Sequence, residues 1–390
     1  MTYEESLGWL YSTQQFGIKL GLDNIRRLLK ALGDPHEHLS FLHVAGTNGK
    51  GSVCAMLDAM LRAADHKTGL YTSPHLIDFR ERIRVDGRKI PREAAARGLE
   101  NLRRLTANWD HSPTFFEFAT ALALQHFAES SCAFVVLETG MGGRLDATNA
   151  VIPLVSVVTP IALDHMRWLG KTVAEVAQEK AGIIKPSVPV VSAPQNPTAA
   201  EVIVRRAEEL RCSLAFAQAA WDGAELGLRG RHQRENAALA IASLRAAGIH
   251  VSDEAIAEGL RNVRWPGRFQ MIGERFVLDG CHNPHAAQQL LLNWTDHFGT
   301  EQADVIFGAL ADKDYTTTLE ILAPISREVL LIPVRSERGA APETLASACS
   351  RPHRIFADAR EALEASRGKT LVTGSLFLVG EILELLGFKP

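Results

Sequence analysis

Between Val44 and Ser52 the chain reads Val-Ala-Gly-Thr-Asn-Gly-Lys-Gly-Ser, a spacing of glycines, one lysine and hydroxyls suited to holding phosphate. Gly46, Gly49 and Gly51 let backbone N–H groups close around phosphate oxygens, with Thr47 and Asn48 between them; Lys50 supplies a point charge and Ser52 a hydroxyl at the start of a helical pattern. The common form of this turn has a hydroxyl directly after the lysine; here Gly51 intervenes and Ser52 follows one place later. The plain alternative is a glycine-rich strand-to-helix turn with no ligand.

A turn that holds ATP works with a divalent cation, so the next residues of interest are hard ligands at strand ends. Glu138 follows the apolar run Cys132–Leu137, His165 follows Val151–Thr159, and Ser73 lies just past the short apolar segment Thr68–Tyr71. In a parallel sheet all three emerge at the edge that carries the phosphate turn, although each alone reads as readily as a cap or turn residue. Lys180 falls on a helical segment whose amphipathic pattern leaves it on the solvated face. Farther on, Val277-Leu278-Asp279-Gly280-Cys281-His282-Asn283-Pro284 runs a strand into a polar turn, placing Asp279 to accept from a ribose and His282 to meet phosphate. Gly374-Ser375 opens the last helix, where N–H groups can hold a carboxylate or simply be capped.

These residues need elements to carry them. Apolar runs alternate with helical patterns: Leu39–Ala45 then Ser52–Ala64, Phe115–Phe127 then Cys132–Leu137, Val151–Thr159 then Val173–Ile183. That rhythm predicts an α/β fold with a mostly parallel sheet and helices on both faces. A strand is expected at Val188–Ser192, and helices at Ala237–Ala247 and from Ser252-Asp253 onward. Arg264-Trp265-Pro266-Gly267-Arg268 breaks the pattern, after which it restarts through Arg275–Leu278, Asp304–Phe307, Glu328–Val334, His353–Phe356, Thr370–Thr373 and a helix Ser375–Leu386. A boundary near residue 270 follows, with domains at 1–269 and 270–390, the second a smaller Rossmann-like α/β unit.

Composition agrees. The chain has 390 residues, 46% of them hydrophobic, enough for more than one core. A net charge of −3 gives no global basic surface for nucleic acid. The five cysteines form no C-x-x-C pair, which argues against a disulfide framework or zinc site and for a reducing, cytoplasmic setting. No basic-then-apolar leader opens the chain and no apolar run reaches a membrane span, so neither export nor membrane insertion is expected.

Taken together, Gly-Thr-Asn-Gly-Lys-Gly-Ser at 46–52, Tyr-Thr-Ser-Pro-His-Leu at 71–76, Glu-Thr-Gly-Met-Gly-Gly-Arg-Leu-Asp-Ala-Thr-Asn at 138–149, Leu163-Asp164-His165, Glu179-Lys180-Ala-Gly-Ile-Ile, Pro266-Gly267-Arg268 and Asp-Gly-Cys-His-Asn-Pro-His at 279–285 resemble folylpolyglutamate synthase and dihydrofolate synthase, within the Mur ligase superfamily. The resemblance spans nearly the whole chain and implies a Mur-ligase-like P-loop ATPase domain followed by a glutamate-ligase domain. It implies ATP on residues 46–52, Asn236, Arg268, Asp279 and His282; magnesium, as two ions, on Ser73, Glu138 and His165; and a carbamylated Lys180. The pterin side is implied at Gly17-Ile18-Lys19, Thr114-Phe115-Phe116-Glu117 and Leu145-Asp146-Ala147. Some bifunctional bacterial members carry an aspartate where this chain has Lys19, a departure that predicts weaker use of dihydropteroate.

The expected reaction is amide formation: a substrate carboxylate attacks the γ-phosphate of ATP, and the amine of L-glutamate displaces phosphate from the resulting acyl phosphate. Lys50 and magnesium offset charge, His282 and Ser375 place phosphate and glutamate, and a crevice between the domains excludes water. Dihydropteroate and reduced folates are the expected acceptors, handled by a cytoplasmic monomer. Two rivals are a Mur-type ligase acting on a UDP-linked precursor, against which the missing UDP-binding domain weighs, and a nucleotide-binding regulator without chemistry.

Overall fold

A computed structural model describes residues 1–16, 21–217, 220–223 and 225–388. Ile18 and Lys19, two of the expected pterin-side residues, lie outside the described residues. The chain divides into two compact units, Met1–Pro74 with Arg80–Leu226 and Glu235–Val263, and His75–Phe79 with Gly227–Arg234 and Arg264–Pro390.

The first unit is built on an eight-stranded sheet: β1 (Ser40–Ala45), β2 (Thr68–Tyr71), β3 (Ile83–Val85), β4 (Arg88–Lys89), β5 (Phe134–Glu138), β6 (Val155–Val158), β7 (Val190–Ser192) and β8 (Leu214–Phe216), in the spatial order β4-β3-β2-β5-β1-β6-β7-β8. All neighbours from β2 to β8 pair in parallel; β3 and β4 form an antiparallel margin. The central strands are apolar in both directions, as strands covered on both faces must be, and Phe41-Leu42-His43-Val44-Ala45 is buried throughout. Because β1 lies between β5 and β6, the chain winds outward from it on both sides, and the carboxyl ends of these three strands share one edge.

The helix after β1, Lys50–Ala63, is buried from Gly51 through Leu61. Gly259 of helix Asp253–Asn262 packs against the backbone of Met60, where a Cβ would come within 2.6 Å. A further core joins Val158, Ile161, Val176, Ala177, Val190 and Ile203 under β6 and β7.

The second unit carries a six-stranded sheet: β9 (Gln270–Ile272), β10 (Phe276–Leu278), β11 (Ala303–Phe307), β12 (Ser326–Leu331), β13 (His353–Ile355) and β14 (Thr370–Thr373), ordered β13-β12-β11-β14-β10-β9 with only β9 antiparallel. Its strands alternate strictly. Val277, Val305, Phe307, Val329, Leu331 and Leu371 face one core with Trp294, while Leu278, Ile306, Leu330 and Val372 face the other with Leu378 and Ile382.

The α/β class and parallel sheets are those expected from the rhythm of the sequence. Three details differ. The helix expected at Ala237 starts at Arg231, so Asn236 lies within it rather than ahead of it. The edge strands β3, β4, β8 and β9 were not expected; at three residues or fewer each, they are too short to show a period. Lys180 does not lie on a solvated face: it is 4% exposed, near the end of helix Val173–Ala181. Among the described residues, no helix is long and apolar enough to cross a membrane.

Candidate active site

At the end of β1 the turn is set by two glycines at positive φ. Gly46 (φ 150°) leaves no room for a side chain, since a Cβ would run into the Thr159 hydroxyl at the end of β6. Gly49 (φ 89°) is the N-cap of helix Lys50–Ala63 and, having no side chain, makes no side-chain cap. A helix start carries free amides and the positive end of the dipole. Asn236 lies against this start: a Cβ on Gly49 would come within 2.8 Å of Asn236 Oδ1.

The turn is held from outside. Thr47 N–H and Asn48 N–H both donate to Pro160 O, at 3.0 and 3.3 Å, and Thr47 Oγ1 donates to Ala162 O at 2.9 Å. These two amides are spent on the loop after β6. Lys50 Nζ folds back on Gly46 O and Thr47 O at 3.1 Å each. Lys180 Nζ donates to the same Gly46 O at 2.6 Å. Two lysines thus meet at one carbonyl, and the one from helix Val173–Ala181 is the more deeply buried.

Glu138 is the last residue of β5, 4% exposed, and its Oε2 accepts from Ser73 N–H at 3.0 Å. The parallel pairing of β2 with β5 explains the meeting, since Tyr71 is opposite Leu137 and both chains leave the sheet together. His165 lies beyond β6 with a left-handed backbone (φ 50°), its N–H donating to Asp164 Oδ1 at 2.7 Å. Among the described residues no group of three His, Cys, Asp or Glu side chains is placed to hold a metal. The donor chemistry of Ser73, Glu138 and His165 nonetheless suits magnesium, which keeps waters and phosphate oxygens and takes only one or two carboxylates from a protein.

The loop after Glu138 is tied at its centre by Asp146 and at its far end to Glu179 O and Gly182 O, through Arg144 N–H at 2.7 Å and Asn149 Nδ2 at 3.0 Å. Asp146 Oδ1 accepts from Thr148 N–H at 3.0 Å and Thr148 Oγ1 at 2.6 Å, and Oδ2 accepts from Met141 N–H at 2.8 Å. Burial pushes the Asp146 carboxyl upward, against the pull of these donors. Both its oxygens serve the loop. Leu145 is half-buried and Ala147 buried. Thr114 and Glu117 likewise serve a helix start: they form the capping box of Phe115–Glu129, with Thr114 N–H 2.7 Å from Glu117 Oε2. The T-x-x-E spacing of this box is visible in the sequence, within the segment that the resemblance assigns to the pterin side. Phe115 and Phe116 remain half-exposed; Phe116 lies over Gly140, where a Cβ would come within 2.5 Å of its ring, and Phe115 stacks on Tyr11 with centroids 5.5 Å apart.

In the second unit, β10 and β14 end side by side, bringing Asp279 and Ser375 to one edge. Asp279 accepts from Phe269 N–H at 2.8 Å and Cys281 N–H at 2.9 Å. Its burial raises the carboxyl, opposed first by Arg268, whose guanidinium lies over Gly280. The neighbouring His232 is lowered to about 4, by burial above all and then by Arg268. His282 Nδ1 is 2.8 Å from Gly280 O. Ser375 caps helix Leu376–Leu385, its Oγ accepting from Phe377 N–H at 3.2 Å.

A turn for phosphate on one parallel sheet and a second, smaller α/β unit define the architecture of the Mur ligases. The Mur ligase middle domain matches residues 44–222, and the Mur ligase glutamate ligase domain matches residues 267–379. The chain belongs to the folylpolyglutamate synthase/dihydrofolate synthase family. It is 34% identical to the dihydrofolate synthase/folylpolyglutamate synthase of Bacillus subtilis, over 98% of this chain and 99% of that one. A probable bifunctional folylpolyglutamate synthase/dihydropteroate synthase of Haloferax volcanii is 37% identical over 98% of this chain, which spans 50% of that protein's length. Among solved structures, Escherichia coli FolC in complex with DHPP and ADP superposes with a TM-score of 0.88 at 33% identity, covering 98% of this chain and 97% of that one. The Yersinia pestis bifunctional enzyme complexed with AMPPNP and Mn ion gives 0.89 at 32% identity, over 100% and 98%.

Proposed function

We propose that this chain is an ATP-dependent ligase that joins L-glutamate to dihydropteroate and to reduced folates. The observation that carries the reading is the uncapped helix start after Gly49, with Lys50, Lys180 and Asn236 gathered on the turn that leads into it. A helix end whose N-cap is a glycine, with the Lys50 ammonium on the turn that leads into it, is an electrostatic site for polyphosphate.

The substrate carboxylate attacks the γ-phosphorus of ATP, ADP leaves, and the amine of glutamate then displaces phosphate from the acyl phosphate. Lys50 swings from the carbonyls of Gly46 and Thr47 to follow the transferred charge. Glu138, Ser73 and His165 are the proposed metal ligands; magnesium there would neutralise charge on the phosphate oxygens as the bond to ADP lengthens. Asn236 orients the helix start, and Phe115 and Phe116 offer flat apolar surface to a pterin ring. Arg268, Asp279, His282 and Ser375 are proposed for ribose, phosphate and the incoming glutamate. The proposed division is ATP and pterin on residues 1–269 and glutamate ligation on 270–390. The Escherichia coli complex with DHPP and ADP and the Yersinia pestis complex with AMPPNP and Mn ion support this assignment of substrates and cation.

Lys180 is proposed to act as a carbamate. A bare ammonium beside magnesium would be repelled, whereas a carbamate adds an oxygen donor, and the buried position beside Gly46 keeps the modified group on the turn. Five free cysteines support a reducing, cytoplasmic setting, and the monomeric state is to be checked by light scattering. The test of the function is direct: enzyme, Mg-ATP, L-glutamate and either dihydropteroate or tetrahydrofolate should give a product one glutamate heavier, with one ADP per bond. A protein that leaves both pterins unchanged while extending a UDP-linked muropeptide would belong to the Mur branch proper.

A further inference from the structure

His43 lies in β1, three residues before Gly46, and is fully buried. Its Nε2 is 2.9 Å from Thr148 Oγ1, and that hydroxyl is 2.6 Å from Asp146 Oδ1. The chemistry fixes the direction of the chain. A carboxylate only accepts, so the Thr148 proton goes to Asp146, and the Thr148 oxygen then takes its hydrogen from His43 Nε2–H. Nδ1 is left an acceptor, and it is buried with no partner. The ring is neutral: burial, and secondarily Lys185, lower its pKa to about 3.

A bare buried acceptor is costly, and the same-face neighbours Phe41 and Ala45, both buried, show that this side of the strand accepts apolar side chains. The imidazole therefore weakens the core unless its single donor is needed. That donor ends, through Thr148 and Asp146, at Met141 N–H, in the stretch that includes Gly140 beneath Phe116.

We propose that His43 is a positioning residue for the pterin side of the site: through Thr148 it orients Asp146 and so fixes the 140–147 loop on which Phe116 rests. This rests on the assignment of residues 114–117 and 145–147 to pterin binding. A merely structural role predicts something else, because His43 is on the strand that carries the phosphate turn, and damage to that strand would weaken ATP first.

The test compares His43→Phe, which fills the space without a donor, with His43→Gln, whose amide N–H can reach the place of Nε2. In the full-length enzyme with Mg-ATP and L-glutamate, His43→Phe should raise KM for dihydropteroate or tetrahydrofolate about tenfold while KM for ATP and kcat stay within about threefold. His43→Gln should restore most of the pterin KM. Should His43→Phe fail to fold, His43→Gln against Thr148→Val reads the same relay, with Thr148→Val raising the pterin KM alone. Parallel increases in KM for ATP and for pterin, or a Gln variant no better than Phe, would overturn the proposal. An inactive wild type would instead strike at the function proposed above.

Discussion

Two loops leave neighbouring strands at the same edge of the first sheet, and they differ in how much of their support is their own. The turn after β1 is braced by other elements: Pro160 O takes two of its amides, Ala162 O its threonine hydroxyl, and Lys180 reaches Gly46 O from a distant helix. The loop after β5 has a brace of its own, Asp146, at its centre, and adds outside contacts at its far end, where Arg144 N–H donates to Glu179 O at 2.7 Å, Asn149 Nδ2 to Gly182 O at 3.0 Å, and His43 meets Thr148. The turn after β1 has a glycine at its helix start and takes its support from Pro160, Ala162 and Lys180 as well as from its own Lys50. The loop after β5 keeps a carboxylate of its own at its centre.

The sharpest way to break this contrast is to remove the outside support. Lys180→Ala should lower kcat by about a thousandfold or more, the scale on which phosphoryl transfer loses a key charge, and short carboxylic acids should restore part of it. Carbon-13 bicarbonate should label the wild type and not the variant. Full activity in Lys180→Ala would return the residue to a packing role.

Next in size is Gly49→Ala. At φ 89° a side chain is strained, and its Cβ would come within 2.8 Å of Asn236 Oδ1. ATP affinity should fall at least tenfold, read by calorimetry, with folate binding unchanged. Equal loss for both ligands would mean that the turn and the 139–149 loop are not independently braced.

Acid separates the strand beneath the two loops from their surfaces. His43 has a folded pKa of about 3 against an ordinary value near 6.5, so below pH 6.5 the unfolded chain binds a proton that the folded chain refuses. Its contribution is full above pH 6.5 and is lost as pH falls toward 3, at up to about 1.4 kcal/mol per pH unit. His232, lowered to about 4, adds in the same direction. His43→Gln should therefore show a shallower fall in unfolding free energy between pH 6 and pH 4 than the wild type. Identical slopes would place the proton elsewhere.

How much of this was legible depends on whether a residue's partners are near it in sequence. The glycine-rich turn after β1 was legible because its glycines, lysine and hydroxyl are contiguous, and the parallel sheets because their strands are mostly apolar. Lys180 was misread because local amphipathicity says nothing of Gly46, which lies far away in the chain. Thr159 passed unnoticed for the same reason, and His43 looked like one polar residue in an apolar strand. Glu117 is the opposite case. Its partner Thr114 is three residues away, and the local T-x-x-E signal was outweighed by the resemblance to a pterin-binding segment.

Glu117 also gives the finest test, because two roles for one carboxylate differ by a single atom. As the third residue of a capping box it needs only an acceptor for Thr114 N–H, and glutamine supplies one as well as glutamate does. Thr114 Oγ1, at 2.9 Å, and Asn24 Nδ2, at 3.4 Å, also donate to Glu117 Oε2, and a glutamine oxygen accepts from both as well. Glu117→Gln should thus change the unfolding free energy by less than about 0.5 kcal/mol, whereas Glu117→Ala, which removes the cap, should cost about 1 kcal/mol. If the cap is the whole role, the Gln variant also keeps its KM for dihydropteroate and tetrahydrofolate. A carboxylate that accepts from the pterin amino group as well would lose charge-assisted hydrogen bonding in the Gln variant and raise that KM several-fold with stability unchanged. Stability and KM together therefore decide whether the Glu117 carboxylate, like that of Asp146, serves its own backbone or also meets the ligand.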